Sequence, residues 1–115
     1  MRAILDQTKV SEAALKSIEN FHSKYVKEVE AAVASNKYVI VGMKQNPVVK
    51  SARKFLEENK IEYKYMEYGS YLSMWKERLA IKLWSGWPTF PMVFVDGKFI
   101  GGGAELKAYL KAKTQ

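Results

Sequence analysis

The side chains that usually carry covalent catalysis are almost absent from this sequence. Its 115 residues include no cysteine and a single histidine, His22. Without cysteine there is no disulfide, no thiolate metal site and no thiol nucleophile. Ser23, Ser51 and Ser85 have no evident base partner, so a serine nucleophile is not supported. Because a lone histidine makes no metal cluster, we predict no metal site and expect His22 to be a packed or surface residue.

The groups that could bind an anion are more numerous. Arg78 and Lys82 stand four residues apart, which places them on one face of a helix. Gly101-Gly102-Gly103 precedes a predicted helix, where backbone N–H groups can receive a carboxylate. Each feature also has an ordinary interpretation: the pair as solvated helix residues, and the glycines as a tight turn. Both interpretations stay open.

The charge is unevenly distributed along the chain. The net charge is +7; residues 1–36 carry five basic and five acidic side chains, and residues 37–115 carry fourteen and seven. A basic domain attracts anionic small molecules, acidic proteins or nucleic acid, although a solvated basic surface is the simpler interpretation. No nucleic-acid motif accompanies the charge, so nucleic-acid binding is not expected. With no apolar run of about 20 residues and no signal-peptide pattern at the start, we expect a soluble cytoplasmic protein with no membrane partner.

Periodicity predicts one long helix and four strands. Residues 11–34 have apolar side chains at steps of three and four, as on one helix face. Two candidate N-caps stand at its start, Thr8 and Ser11. Short apolar or alternating segments predict strands over residues 38–43, 61–66, 92–95 and 98–100. The last two are separated by Asp96-Gly97, a strong hairpin signal.

Three further helices are predicted between and after the strands. Asn46 is a favoured N-cap and Pro47 a favoured first helical residue. The next helix opens at Gly69-Ser70 and must end before Trp87-Pro88, because a residue before proline disfavours helical geometry. Four apolar residues are predicted to form its core-facing side: Leu72, Trp75, Leu79 and Leu83. The last helix is predicted from residue 104 to about residue 111.

This order of elements predicts an α/β fold. The strand–helix–strand unit should be parallel and right-handed, and the hairpin adds antiparallel strands. The result is a four-stranded mixed sheet flanked by helices. We predict an N-terminal helical extension over residues 1–36, packed on a domain over residues 37–115.

Several motifs in this framework resemble those of one protein family. The sharpest is Trp87-Pro88-Thr89-Phe90-Pro91, followed by the hairpin and by Gly101-Gly102. Ile81-Lys82, Ser85 and Gly42-Met43-Lys44 add to it. From Tyr38 to Leu110 the chain resembles the glutaredoxins of the thioredoxin-like superfamily, and most closely the single-cysteine glutaredoxins. The resemblance implies a thioredoxin-like (glutaredoxin) fold with an extra N-terminal helix and a cis Phe90–Pro91 bond.

The sequence departs from the family at the position of its chemistry. The resemblance places Asn46 at the nucleophile position and Val49 at the resolving position. In glutaredoxins the nucleophilic cysteine stands at a helix N-terminus, which lowers its pKa. The neutral amide of Asn46 can cap that helix but cannot attack a disulfide or bind an iron–sulfur cluster. Thiol–disulfide oxidoreductase activity is therefore not possible, and no catalytic residue is predicted.

The resemblance also implies a set of ligand-binding residues. Lysines and arginines at the positions of Lys44, Arg78 and Lys82 pair with glutathione carboxylates in relatives. The backbone of Thr89, Phe90 and Pro91 holds the cysteinyl part. Gly102 and Gly103 would meet the γ-glutamyl end, but Ala104 stands where relatives often have aspartate, which removes one anchor. The predicted ligand-binding residues are Lys44, Asn46, Arg78, Lys82, Thr89, Phe90, Pro91, Gly102 and Gly103.

Three functional hypotheses follow from these predictions. In the first, the protein is a non-catalytic module that binds glutathione or a peptide segment non-covalently, with no other cofactor. In the second, it is a protein–protein adaptor that uses residues 11–34 as part of its contact surface. In the third, it is classed with glutaredoxin oxidoreductases by homology only.

Overall fold

The structure, a computed structural model, describes residues 11–20, 23–70 and 72–113. Within them five helices and four strands are present. In chain order they are α1 (Glu12–Asn20), α2 (Ser23–Ser35), β1 (Tyr38–Gly42), α3 (Pro47–Glu58), β2 (Lys64–Glu67), α4 (Trp75–Ser85), β3 (Met92–Val95), β4 (Lys98–Gly101) and α5 (Gly103–Lys113).

The strands form one mixed sheet with the order β2-β1-β3-β4. β1 runs parallel to β2 and antiparallel to β3, and β3 runs antiparallel to β4. Asp96 and Gly97 both have positive φ, 51° and 80°, as a two-residue turn of a twisted hairpin requires. The predicted α/β fold with a four-stranded mixed sheet is therefore confirmed.

Successive side chains of β1 point into two different cores, because strand side chains alternate between the faces of a sheet. Val39 and Val41 pack with residues of α2 and α4, among them Val29 and Ile81. On the opposite face, the core consists of Tyr38, Ile40, Ala52, Leu56, Val93, Val95, Leu106 and Leu110. Residues of α3 and α5 are thus on the side opposite to α2 and α4, which gives the predicted helices on both faces.

The long helix predicted over residues 11–34 is present as α1 and α2, and residues 21 and 22 between them lie outside the described residues. Ser11 caps α1 as predicted, since its Oγ accepts the Ala14 N–H at 3.2 Å. Thr8 and His22 lie outside the described residues. In α2 the apolar face is confirmed at Val29, which is fully buried.

The prediction for α4 was wrong about which side of the helix faces the core. Its buried residues are Arg78, Ala80 and Ile81. The four residues predicted to face inward are instead exposed: Leu72 at 97%, Trp75 at 58%, Leu79 at 37% and Leu83 at 58% of their surface. We call these four residues the outer stripe of α4.

The start of α4 was also predicted too early. The helix begins at Trp75, because Gly69 and Met74 have φ angles of 70° and 55° and interrupt any helix before it. β2 likewise begins at Lys64 rather than at residue 61, since the Ile61 N–H donates to the Leu56 carbonyl at 3.0 Å and belongs to the turn that ends α3. None of the described helices is both long and apolar enough to cross a membrane.

Candidate ligand-binding cleft

Asn46 stands at the N-terminus of α3, as the Asn-Pro pair predicts. Its backbone is extended (φ −94°, ψ 115°). Its side-chain Oδ1 accepts the N–H groups of Val48 at 2.9 Å and Val49 at 3.1 Å, while Pro47 follows as the first helical residue and has no N–H to satisfy. The Asn46 amide oxygen therefore occupies the point at which an anion would meet the positive end of the helix dipole.

The first turn of α3 lies very close to the end of β1. A Cβ atom added to Gly42 would lie 2.7 Å from the Val49 Cγ1, so only glycine permits this approach. Val49 itself is buried, with 2% of its surface exposed. The position that the resemblance assigns to a resolving cysteine is therefore a core position.

The proline loop faces Asn46 directly. The Phe90–Pro91 peptide bond is cis, Thr89 is exposed, and Phe90 and Pro91 are buried. The Asn46 Nδ2 donates to the Phe90 carbonyl oxygen at 3.3 Å. One side chain thus connects the helix N-terminus to the loop, and the structure brings together Asn46, Thr89, Phe90 and Pro91 as predicted.

Two lysines border this part of the molecule. The Lys82 Nζ lies 5.6 Å from the centroid of the Phe90 ring. Lys44 is exposed and its backbone N–H donates to the Gly69 carbonyl at 2.7 Å, which anchors the residue next to the loop before α4. Of these two lysines, the ammonium group of Lys82 lies beside Phe90, and Lys44 is an exposed cation two residues before Asn46.

Arg78 does not have the position expected from its spacing to Lys82. It is 7% exposed, and its Nη1 donates to the carbonyl oxygens of Tyr68, at 3.0 Å, and Ser73. Arg78 is therefore not a solvated surface residue, and its guanidinium is already bound within the chain. The buried guanidinium holds the backbone at Tyr68 and Ser73 against α4 through charge-assisted hydrogen bonds to their carbonyl groups.

The glycines at the start of α5 are also engaged within the chain. Gly102 and Gly103 are buried, and the Gly102 N–H donates to the Glu105 Oε1 at 2.7 Å. Sequence reasoning missed Glu105, although a glutamate three residues after a helix-capping position is the signature of a capping box. The carboxylate that binds at this helix start is therefore the chain's own.

One buried hydrogen-bond donor lies close to Gly102. The Trp87 Nε1 is buried without a hydrogen-bond partner among the described residues. Its ring meets Phe99 edge to face, with centroids 5.4 Å apart. It is within 4 Å of the point where a Gly102 side chain would begin.

A shallow cleft of about 380 Å³ continues from Asn46 between the first turns of α3 and α5. Its lining consists of Pro47, Val48, Ser51, Gly103, Ala104 and Lys107. The Lys107 Nζ donates to the Ser51 Oγ at 3.0 Å across it. A larger cleft, of about 610 Å³, lies among residues 35–38 and 61–63 at the opposite end of β1, away from the predicted site residues.

Comparisons with known proteins identify the family of this chain. The Glutaredoxin family model matches residues 39–100. A glutaredoxin-like protein of Dictyostelium discoideum is 50% identical over 95 residues, which are 83% of this chain and 77% of that protein. The chain belongs to the glutaredoxin family.

Solved glutaredoxin structures share the fold. The crystal structure of a buckwheat glutaredoxin–glutathione complex has a TM-score of 0.70 at 20% identity, over 83% of this chain and 86% of that one. Oxidized glutaredoxin 2 from Chlamydomonas reinhardtii has a TM-score of 0.65 at 26% identity, over 81% and 88%. This glutaredoxin-like chain has no cysteine anywhere in its sequence and therefore no thiol nucleophile.

No group of three or more His, Asp or Glu side chains in the described part of the chain could hold a metal ion. Tyr68 is a titratable group that packs between two elements of the fold. Tyr68 is buried, which raises the pKa of its hydroxyl, and a hydrogen bond to Glu28 at 3.1 Å raises it further. Its neutral hydroxyl links α2 to the domain.

Proposed function

We propose that this glutaredoxin-like protein is a non-catalytic binding module. Its ligand would be glutathione, or a peptide segment with a carboxylate end, held non-covalently between Asn46 and the loop of residues 89–91. The single observation that supports this proposal is the 3.3 Å hydrogen bond from the Asn46 Nδ2 to the Phe90 carbonyl. It shows that the N-terminus of α3 and the proline loop lie next to each other, so that one ligand could contact both. At this place the chain has lost the thiol chemistry of its family.

The polar groups around Asn46 and Phe90 suit an anionic peptide. Lys82 supplies positive charge beside Phe90, and Lys44 supplies an exposed positive charge close in sequence to Asn46. A carbonyl oxygen such as that of Phe90 can accept a second hydrogen bond because it has two lone pairs. An extended peptide can pair with such a backbone edge in the manner of an added strand.

Two of the predicted anchors are already used by the chain. Arg78 is bound to backbone carbonyls, and the Gly102 N–H is bound to Glu105. We therefore expect weak binding, with a dissociation constant of about 1 mM, which corresponds to roughly 4 kcal/mol.

The test is a titration of the ¹⁵N-labelled protein with reduced glutathione at neutral pH and low salt. We expect saturable shifts of the amide signals of Thr89 and Phe90. Lys82→Ala and Lys44→Ala should each weaken binding about two- to fivefold, the effect of an exposed charge pair. Lys64→Ala, which removes an exposed charge from β2, is the matched control and should change nothing.

Two results would contradict this proposal. One is the absence of any shift near Phe90 at millimolar glutathione. The other is equal weakening by the β2 variant, which would show that only the net charge of the protein attracts the ligand.

A second candidate function, a protein–protein adaptor, is supported by a different observation. The outer stripe of α4 exposes four large apolar side chains, and contiguous apolar surface of this kind is typical of interaction sites. The contact surface suggested by this observation lies on α4 rather than on residues 11–34. None of the four residues lies at Asn46 or in the proline loop, so the adaptor function does not require glutathione binding.

A further inference from the structure

α4 has apolar residues on two opposite sides. Ala80 and Ile81 face the sheet and are buried. At about 100° per residue, Trp75 and Leu83 lie about 40° to either side of Leu79, on the side away from the sheet. Leu72, in the turn before the helix, is almost fully exposed. Trp75, Leu79 and Leu83 therefore form a stripe along α4 that is about one side chain wide, and Leu72 precedes it in the chain.

Positive charge borders this stripe on both sides. By the same helical geometry, Lys76 and Lys82 lie about 60° to either side of Leu79. The Lys76 Nζ lies 5.6 Å from the centroid of the Trp75 ring, so the ammonium group stays beside the apolar surface. The only acidic residue of α4, Glu77, is about 160° from Leu79 and faces away from the stripe.

These charges decide which occupant fits. A second copy of the chain carries the same net charge of +7 and the same two lysines, so contact between two stripes would bring like charges together. Residues 1–10 carry Arg2, Asp6 and Lys9 and are also net positive. In α1, the Glu12 carboxylate is 4.0 Å from the Lys16 ammonium group of the same helix, so this acidic group already has a positive charge beside it. A partner with an apolar face and acidic flanks complements both the exposed apolar side chains and the two lysines.

We propose that the outer stripe of α4 docks an amphipathic helix of a partner protein, with leucine-type side chains on one face and glutamate or aspartate on its flanks. The narrow apolar stripe would contact residues at steps of three and four of the partner helix. The two lysines would meet its acidic flanks. This inference rests on the adaptor function and does not require glutathione binding, although Lys82 also lies beside Phe90; Lys76 borders the stripe alone.

The probe is a synthetic helical peptide of about five turns with leucines on one face and glutamates on the other positions. Its matched control has lysine in place of every glutamate and keeps the leucine face. Binding is measured by fluorescence anisotropy of labelled peptide and by the change in tryptophan emission. The acidic peptide is expected to bind at least about tenfold more tightly than the basic one, and higher salt should reduce the difference.

Variants locate the binding surface. Leu79→Asp with Leu83→Asp should weaken binding of the acidic peptide about tenfold or more, because both side chains lie at the centre of the contact. Lys76→Glu should weaken it about threefold and leaves the apolar surface intact, so it tests the proposal even if the double variant fails to fold. Lys64→Glu on β2 is the charge-matched control and should bind like the original protein.

The other occupants give distinct results, and each would overturn the proposal. If the protein sediments as a dimer and the variant with Leu79→Asp and Leu83→Asp sediments as a monomer, the stripe is the contact between two copies of the chain. Binding to vesicles rich in phosphatidylserine but not to the acidic peptide would assign it to a membrane surface. Tight peptide binding only after removal of residues 1–20 would show that the chain's own N-terminal segment covers it. Equal binding of both peptides would remove the charge argument. A failed glutathione titration would leave this proposal unaffected.

Discussion

Replacing Asn46 by cysteine tests the central geometry of the cleft. Asn46 caps α3 through two backbone N–H groups, at 2.9 and 3.1 Å. A thiolate at this position would meet the same two donors and the positive end of the helix dipole, as cysteines with lowered pKa do at helix N-termini. An interaction of about 1–2 kcal/mol corresponds to roughly one pKa unit or slightly more. We therefore expect a thiol pKa of about 7 instead of the ordinary value of about 8.5.

The same change should also reduce stability in a defined way. Loss of the asparagine cap costs about 1 kcal/mol, and loss of the amide bond to the Phe90 carbonyl costs about as much again. For a domain of this size 2 kcal/mol lowers Tm by roughly 8 °C. Because the folded-state pKa lies below the unfolded value, the thiolate returns part of this stability above about pH 8.5. That part is lost as the pH falls through about 7.

The assay is the rate of alkylation by iodoacetamide as a function of pH, combined with mass spectrometry after exposure to oxidized glutathione. Asn46→Cys should react with a midpoint near pH 7 and form a mixed disulfide with glutathione. Glu58→Cys is the matched control, since residue 58 is exposed and ends the same helix. The negative end of the dipole should keep its thiol pKa at or above about 8.5. Equal pKa values for the two thiols would refute the placement of residue 46 at the N-terminus of α3.

Three further predictions concern side chains that form hydrogen bonds within the chain: Glu105, Arg78 and Tyr68. Glu105→Gln keeps an acceptor for the Gly102 N–H but removes the negative charge, so we expect glutathione affinity, measured by titration, to rise about two- to fivefold. Unchanged affinity would contradict competition between the Glu105 carboxylate and a glutathione carboxylate at the start of α5. Arg78→Met leaves two carbonyl groups without their charged donor and should lower the free energy of unfolding, measured in urea, by about 2–4 kcal/mol; a loss of glutathione affinity without a loss of stability would show a ligand role instead. Because burial raises the pKa of Tyr68, its neutral hydroxyl stabilises the fold fully below about pH 10, and this contribution is lost as the pH rises through the higher folded-state pKa. Tm should thus fall above about pH 10, and Tyr68→Phe should reduce that fall; an identical pH dependence in both proteins would exclude Tyr68 as the cause.

Local signals predicted the start of α3 and the turn between β3 and β4. Asn46-Pro47 marks a helix start because one residue supplies a capping oxygen and the next needs no N–H partner, and the structure has α3 there. Asp96-Gly97 marks a hairpin because both residues tolerate positive φ, and the structure has both at positive φ. Such signals depend on a few neighbouring residues and are therefore readable from sequence.

The errors have a different physical origin. The apolar residues of α4 do recur with helical spacing, but they occupy two sides of the helix. One side carries the larger side chains Leu79 and Leu83, and the other carries Ala80 and Ile81. Periodicity favours the larger side. In the structure the smaller side packs on the sheet, and the buried Arg78 donates to the carbonyls of Tyr68 and Ser73; such long-range contacts do not appear in a periodic pattern.

The amino-acid sequence by itself determined the family, the α/β architecture and the loss of thiol chemistry, since these depend on which residues are present and on their local order. Only the tertiary structure decided which polar groups remain available to a ligand. Arg78 and Gly102 have partners distant in space or defined by backbone geometry, and Asn46 meets Phe90 across 44 positions of the chain. Hydrogen bonds of this kind form only when separate elements pack together, and the same packing leaves the outer stripe of α4 exposed.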